Sequence, residues 1–383
     1  MKTKTASWPH CVRHSAESVL LMQVAFRVDS SSAIGIGHAM RCLTLAIELR
    51  KRGNAVCFVS RPQPGDAIER VRSAGFAVAV LPARTTVPPD GVAQSRERWL
   101  GATPAEDATG TREALRRAAF APDWIIADSY GIDAEWEERV RNGARVMAID
   151  DLADRPHACE ILLDQTWTDE HLQERYDPFV PPQTRRLLGP AYALLRDEFV
   201  DARATLAERD GVLGRIIISF GGADPTGQTL KAYRSIANFS GAIDIVCGSG
   251  SPQLGELRAA VAGDERTTLH VDTDSIAALF GRADLALGAA GTSTWERCYL
   301  ALPSVVLVLA ENQQPTAAAL ARAGALVNLG DAANVREETI AAAVAVFARD
   351  AASLRTMGRR ALAIMGEGVR TGTQRVADAL VDG

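Results

Sequence analysis

The chain has 383 residues, 47% of them hydrophobic and 23% charged, which is enough length and apolar content for two domains with separate cores. A formal net charge of -5 argues against a general nucleic-acid binder or a polybasic membrane anchor, and no apolar run reaches the ~20 residues of a membrane-spanning helix. Six scattered cysteines without a C-x-x-C pair predict reduced thiols, a cytoplasmic setting and no zinc framework.

Residues 1–21 carry Lys2, Lys4 and Arg13 and only a brief apolar stretch at Val19–Leu21, too short for a signal peptide. They read as a disordered or non-native extension ahead of Met22. Val24–Val28 then reads as a strand, and Gly35–Arg52 as a helix with Met40, Leu43 and Ile47 at helical spacing and Gly53 as its C-cap. Ala55–Ser60 and Phe76–Leu81 are strand-like, with a helix between them over Gly65–Ala74. Pro82–Thr103 reads as a long loop. A helix ends near Phe120, Asp123–Asp128 is a short buried strand, Asp133–Arg141 is helical, and Arg145–Asp150 and Ile161–Asp164 are strands.

Little strand signal follows from Thr168 to Val212. A second α/β unit begins at the strand Arg215–Phe220 and continues through strands at Ile243–Cys247, Thr268–Val271, Leu285–Gly288, Val305–Leu309 and Leu326–Leu329, before a helical remainder. Alternating strands and helices predict two doubly wound, Rossmann-like α/β domains facing across a cleft. The boundaries fall as an N-terminal α/β domain over 22–200, a linker over 201–212, and a C-terminal α/β domain over 213–383.

Several stretches carry chemistry. Gly35-Ile-Gly-His38 opens a helix, where two glycines allow close approach of a ligand to free backbone N–H groups. Met40 replaces the third glycine of a dinucleotide fingerprint, so a nicotinamide site is not expected. A helix N-terminus disfavours imidazolium, which suits His38 to accept a proton. Gly288-Ala-Ala-Gly-Thr-Ser-Thr-Trp-Glu296 is a small-residue loop between strand and helix, suited to a diphosphate. Ser293-x-x-Glu296 fits either a capping box or a carboxylate on ribose hydroxyls. Asp224 with Pro225 reads as a helix start, and Asp274 of Asp272-Thr-Asp274 reads as an N-cap rather than a metal ligand. No G-x-S-x-G elbow, Walker loop or H-E-x-x-H is present, and no metal or cofactor is expected.

Arg27-x-Asp29-x-Ser-x-x-Ile34-Gly-x-Gly-His38-x-x-Arg41-Cys42, Asp128-x-Tyr130-Gly, Gly189-Pro-x-Tyr192-Ala-Leu-Leu-Arg-Asp-Glu-Phe199, Phe220-Gly-Gly-x-Asp224 and Glu311-Asn-Gln313 together resemble the nucleotide-sugar hydrolases of pseudaminic acid biosynthesis. Those enzymes remove UDP from UDP-2,4-diacetamido-2,4,6-trideoxy-β-L-altropyranose. The second-domain loops are shared with GT-B-type glycosyltransferases such as the MurG group. The resemblance implies a GT-B fold, a UDP-sugar substrate and His38 as the catalytic residue, with Tyr130 beside it on the sugar. It implies Gly222, Gly291, Thr292 and Glu296 around UDP, and Asn312 and Gln313 on the sugar or diphosphate. Asp29, Gly35, Gly37, Asp224 and Thr229 complete the candidate binding set. Three readings stay open beside the hydrolase: a glycosyltransferase with a hydroxyl acceptor, a hydrolysing UDP-sugar 2-epimerase, and a non-catalytic nucleotide-sugar binder.

Overall fold

The computed structural model describes residues 22–32, 34–83, 97–168, 172–366 and 370–382. The expected N-terminal extension and most of the loop over 82–103 lie outside the described residues. Seven strands form the first sheet: β1 (Gln23–Val28), β2 (Ala55–Ser60), β3 (Ala77–Val80), β4 (Trp124–Asp128), β5 (Arg145–Ile149), β6 (Ile161–Asp164) and β7 (Arg185–Leu188). Their order is β3-β2-β1-β4-β5-β6-β7, with every pairing parallel. Six strands form the second sheet: β8 (Arg215–Ser219), β9 (Ala242–Cys247), β10 (Thr267–Val271), β11 (Leu285–Ala289), β12 (Ser304–Val308) and β13 (Val327–Asp331). They run β10-β9-β8-β11-β12-β13, again all parallel.

A parallel sheet covered on both faces needs strands that are apolar on both sides. β4 and β12 meet that demand, being buried at every position. The strand order reverses between β1 and β4 in one sheet and between β8 and β11 in the other. At such a switch point the loops leaving adjacent strands diverge and open a crevice at the strands' C-terminal ends. The candidate loops after β1, β8 and β11 all leave from these positions.

β7 was not expected, because Arg185-Arg-Leu-Leu188 is short and half charged; only its two leucines are buried. The helix Ile276–Arg282 begins after Ser275, not Asp274, and no side chain caps it. The helix Gly37–Lys51 ends as expected, with Gly53 at φ +86° donating to Arg50 O (2.9 Å). Its buried face differs from the expected one. Leu43 is buried, but Met40 and Ile47 are only partly so, while Ala39, Cys42, Leu45, Ala46 and Leu49 are all covered.

The cause is a second layer of packing from the far end of the chain. The last helix, Gly372–Asp382, crosses back from the second sheet and sets Val376, Ala377, Ala379 and Leu380 into the core that holds Phe26 and Leu45. A reciprocal crossing runs the other way. After the turn Pro190–Tyr192, the helix Asp197–Ala204 buries Phe199 among Ile217, Leu279 and Phe280 of the second unit. The two crossings touch, with Thr373 Oγ1 donating to Leu195 O (2.8 Å).

Leu380 is fully buried, so Leu380→Ala should cost about 2–5 kcal/mol by leaving a cavity under the helix Gly37–Lys51. Urea unfolding followed by fluorescence will measure this; a loss below the range measured for exposed positions would mean that the C-terminal helix is not docked there.

Candidate active site

Asp128 ends β4 and pairs in register with Val28, the last residue of β1. The chain leaving β1 turns back at Gly35, whose φ of +81° disfavours any side chain and whose N–H donates to Ser31 O (2.7 Å). It then enters the helix at Gly37, where no side chain caps the N-terminus. His38 and Arg41 lie one turn apart on this helix and both face Asp128 across the switch point. His38 Nδ1 lies 2.6 Å from Asp128 Oδ1; Arg41 Nε donates to Oδ2 (2.6 Å) and Arg41 Nη2 to Oδ1 (2.7 Å).

Burial alone would raise the Asp128 carboxyl, but Arg41 and then His38 hold it well below the usual carboxylate range. It is therefore ionised and can only accept, so His38 Nδ1 carries the hydrogen between them. The 3.1 Å approach of Arg41 Nη2 to Nδ1 is then a meeting of two donors that share one oxygen. In the neutral ring the lone pair falls on Nε2, which has no hydrogen-bond partner among the described residues. An orienting carboxylate, a histidine and an open ring nitrogen are the arrangement that a general-base dyad requires.

Tyr130 stands two residues beyond β4, edge-on to both His38 (4.9 Å between centroids) and Trp99 (5.0 Å). Its hydroxyl donates to Asp151 Oδ1 (2.7 Å) and accepts from Asn312 Nδ2 (2.8 Å), a bond that spans the two sheets' loops. Burial and then Asp151 push this hydroxyl above its usual value, so it stays protonated. Asp151 is held in turn by Arg41 Nη1 (3.2 Å), and its carbonyl accepts from Arg175 Nη2 (2.8 Å). Arg175 Nη1 reaches Asp164 Oδ2 (2.8 Å), a carboxyl that burial pushes up to about 6.

The second unit presents its loops to this constellation. The Cβ that Gly37 lacks would lie 3.6 Å from Thr292 Oγ1, so the glycine loop after β1 faces the loop after β11. Gly222 is exposed with open space beside it. Gln313 Oε1 accepts from Leu309 N (3.0 Å), and a Cβ on Gly291 would sit 3.4 Å from Gln313 Nε2. The capping box between Ser293 and Glu296 does not form: Thr292 is the N-cap without a side-chain bond, and Glu296 Oε1 instead accepts from Arg196 Nη2 (3.0 Å).

His38, Gly35, Gly37, Tyr130, Gly291, Thr292, Asn312 and Gln313 thus come together, with Gly222 on a neighbouring second-unit loop and Glu296 in the first turn of the helix Ser293–Tyr299. Three other candidates are turned to different work. Asp29 is 4% exposed and gives its carboxylate to Arg27 (2.7 and 2.8 Å) and to Arg61 N (2.7 Å). Asp224 accepts from Gln228 N (3.0 Å) and Thr229 N (2.7 Å); it caps a helix that begins at Gln228, not at Pro225. Thr229 is buried inside that first turn. Sequence reasoning named no role for Asp128, Arg41, Asp151 or Trp99. Asp128 and Arg41 stood inside the quoted motifs, and a carboxylate ending a buried strand beside a histidine loop was the available signal.

The two parallel sheets, with their reciprocal crossings and facing loops, define a GT-B-type fold. Solved structures agree: the MurG of Acinetobacter baumannii superposes with a TM-score of 0.62 at 15% identity over 94% of this chain and 100% of its own. LpCGTa in complex with UDP gives 0.66 at 15% identity, over 94% and 99%. Among curated proteins, the chain is similar to the UDP-2,4-diacetamido-2,4,6-trideoxy-beta-L-altropyranose hydrolase of Campylobacter jejuni, with 25% identity over 305 residues, 79% of this chain and 97% of that protein. An uncharacterized protein of Methanocaldococcus jannaschii is 24% identical over 309 residues, and the match spans only 57% of its length. No family model matches the chain.

Asp128→Asn should reverse the His38 tautomer. The single amide oxygen stays with Arg41, and the amide N–H₂ then faces Nδ1 and donates to it. Histidine ¹⁵N NMR should show Nδ1–H for neutral His38 in the unaltered chain and Nε2–H in the variant; the same tautomer in both would refute the dyad geometry.

Proposed function

We propose that this protein hydrolyses a UDP-linked 2,4-diacetamido-2,4,6-trideoxy sugar of the β-L-altropyranose type to the free sugar and UDP, a step of pseudaminic acid biosynthesis. The observation that carries the reading is His38, tied through Nδ1 to Asp128 with Nε2 left open, next to Gly37, whose missing Cβ would lie against Thr292. The similarity to the Campylobacter hydrolase, which extends over nearly all of that protein, supports the substrate class.

In this reaction UDP lies against the second-unit loops and the sugar between them and the first unit. Nε2 takes a proton from water as the oxygen attacks C1 from the face opposite UDP. The C1–O bond breaks, its electron pair leaves with the diphosphate, and the configuration at C1 inverts. Asp128 orients the ring and stabilises the imidazolium as it forms. UDP is a weak base, so its departure demands neither an acid nor a metal; open backbone N–H groups at Gly37 and His38 and around Gly291 can offset its charge. Tyr130, kept protonated and held between Asp151 and Asn312, sets its ring beside His38 against the sugar, and the Trp99 ring next to it extends that apolar wall.

Purified protein should release UDP from the UDP-diacetamido sugar without any acceptor and with EDTA present. His38→Asn or His38→Ala should lower kcat by about 10²–10⁴-fold, the usual contribution of a general base, while the Kd for UDP changes little. Release only after a hydroxyl acceptor is added would make the chain a transferase, and wild-type turnover by the His38 variants would overturn the assignment.

A further inference from the structure

The stretch Gly189–Phe199 has no part in the reaction as described, yet its arginine reaches the nucleotide side of the molecule. Ala193 and Leu195, buried at 1% and 4% exposure, pack in one cluster with Ala290, Trp295 and Cys298 of the loop and helix after β11. The return crossing clamps this passage from behind. A Cβ on Gly372 would lie 2.3 Å from Ala193 O, and Thr373 Oγ1 holds Leu195 O at 2.8 Å. Arg196 therefore leaves a fixed backbone. Its guanidinium rests over the Phe199 ring, 5.0 Å from the centroid, with Glu198 on one side and Glu296 on the other.

Glu296 is in an unusual position. Its side chain is 18% exposed, burial raises its carboxyl, and Arg196 opposes that effect while Glu198 adds to it. Only one of its oxygens is held: Oε1 accepts from Arg196 Nη2, and Oε2 has no hydrogen-bond partner among the described residues. Glu296 is thus an oriented acceptor with a vacant second oxygen; Arg196, its one hydrogen-bonded partner, favours its charged form most, and the neighbouring Arg297 adds to that effect.

Resting on the nucleotide site proposed above, we propose that Arg196 is the positioning residue for ribose recognition: it anchors Glu296 Oε1 and leaves Oε2 to accept from a ribose hydroxyl of the bound nucleotide. Arg196 itself touches no part of the ligand. Because it stands where the chain crosses between the sheets, the ribose contact is built on the crossing segments and not on the loop alone.

The test compares UDP with 2′,3′-dideoxy-UDP by calorimetry on the full chain and on Arg196→Gln, Arg196→Lys and Glu296→Gln, each checked for folding by thermal melting. The unaltered chain should prefer UDP by about tenfold or more, the worth of one hydrogen bond to a charged group. Arg196→Gln should bring that ratio close to that of Glu296→Gln while affinity for the dideoxy nucleotide holds. Arg196→Lys should restore part of it. Without Arg196 the Glu296 carboxyl is protonated more readily, so the ratio in Arg196→Gln should recover as pH is raised. A ratio unchanged in Arg196→Gln, or equal weakening of both nucleotides, would overturn the inference, since a merely structural arginine acts on both alike. Failure of the unaltered chain to bind UDP is a separate result, which would overturn the nucleotide site and the inference together.

Discussion

A single carboxylate, Asp128, ties together the first unit's side of the candidate active site. It accepts from His38 and doubly from Arg41, and the Cys42 thiol lies 3.4 Å from Oδ2. A fully buried carboxylate is tolerable only when paired and hydrogen-bonded, so its position dictates what the helix opposite must carry. The helix supplies a histidine, an arginine and a cysteine within its first turns. The same arginine then reaches Asp151, which holds Tyr130, which meets Asn312 of the other unit. The geometry around His38 and the contact between the two units therefore hang on one chain of bonds that begins at Asp128.

Behind this chain lies a second buried network that fixes the loop's base. Asp107 accepts from Arg27 Nε and Nη2 (2.9 and 2.7 Å), Arg61 Nη2 (2.8 Å) and Trp136 Nε1 (3.0 Å), and Asp29 completes the set. Removing one member of such a group strands charges in the core at a cost of about 3–5 kcal/mol, so its contribution is to hold one arrangement of the strand ends. In the second unit a buried arginine holds the loop after β11 through oxygen acceptors of the loop and helix. Arg297 is fully buried against Ala289 O (2.7 Å), Ser293 Oγ (3.0 Å) and Thr294 Oγ1 (3.0 Å), and burial pulls it down to about 10. Its guanidinium also explains the glycine at 288, where a Cβ would meet Arg297 Nη1 at 3.0 Å and Ser219 O at 2.7 Å.

Much of this was legible in the residues. Strand runs such as Trp124-Ile-Ile-Ala-Asp128 and the glycine loops gave the two sheets and the place of His38, because burial on both faces and close backbone approach leave direct compositional traces. What was hidden depends on distant parts of the chain. The face of Gly37–Lys51 turned toward the last helix could not be inferred from periodicity, since that cover arrives from more than 300 positions away in sequence. β7 carries too few apolar residues to register. Asp29, Asp224 and Glu296 each lie in or just after a loop that suggested ligand contact, yet the first two are spent on backbone and arginine, and the third is held by Arg196. A carboxylate's partner is a tertiary fact, and local spacing does not encode it.

The central claim, that His38 directs water to C1 and the C1–O bond breaks, is tested most directly by turnover of the UDP-diacetamido sugar in ¹⁸O water. Products are to be read at early times by mass spectrometry and proton NMR. The account predicts unlabelled UDP, ¹⁸O in the sugar, an unchanged C2 and a first-formed anomer of inverted configuration. Label in the diphosphate would place the attack at phosphorus, and solvent hydrogen at C2 would indicate an epimerase; either result would contradict it.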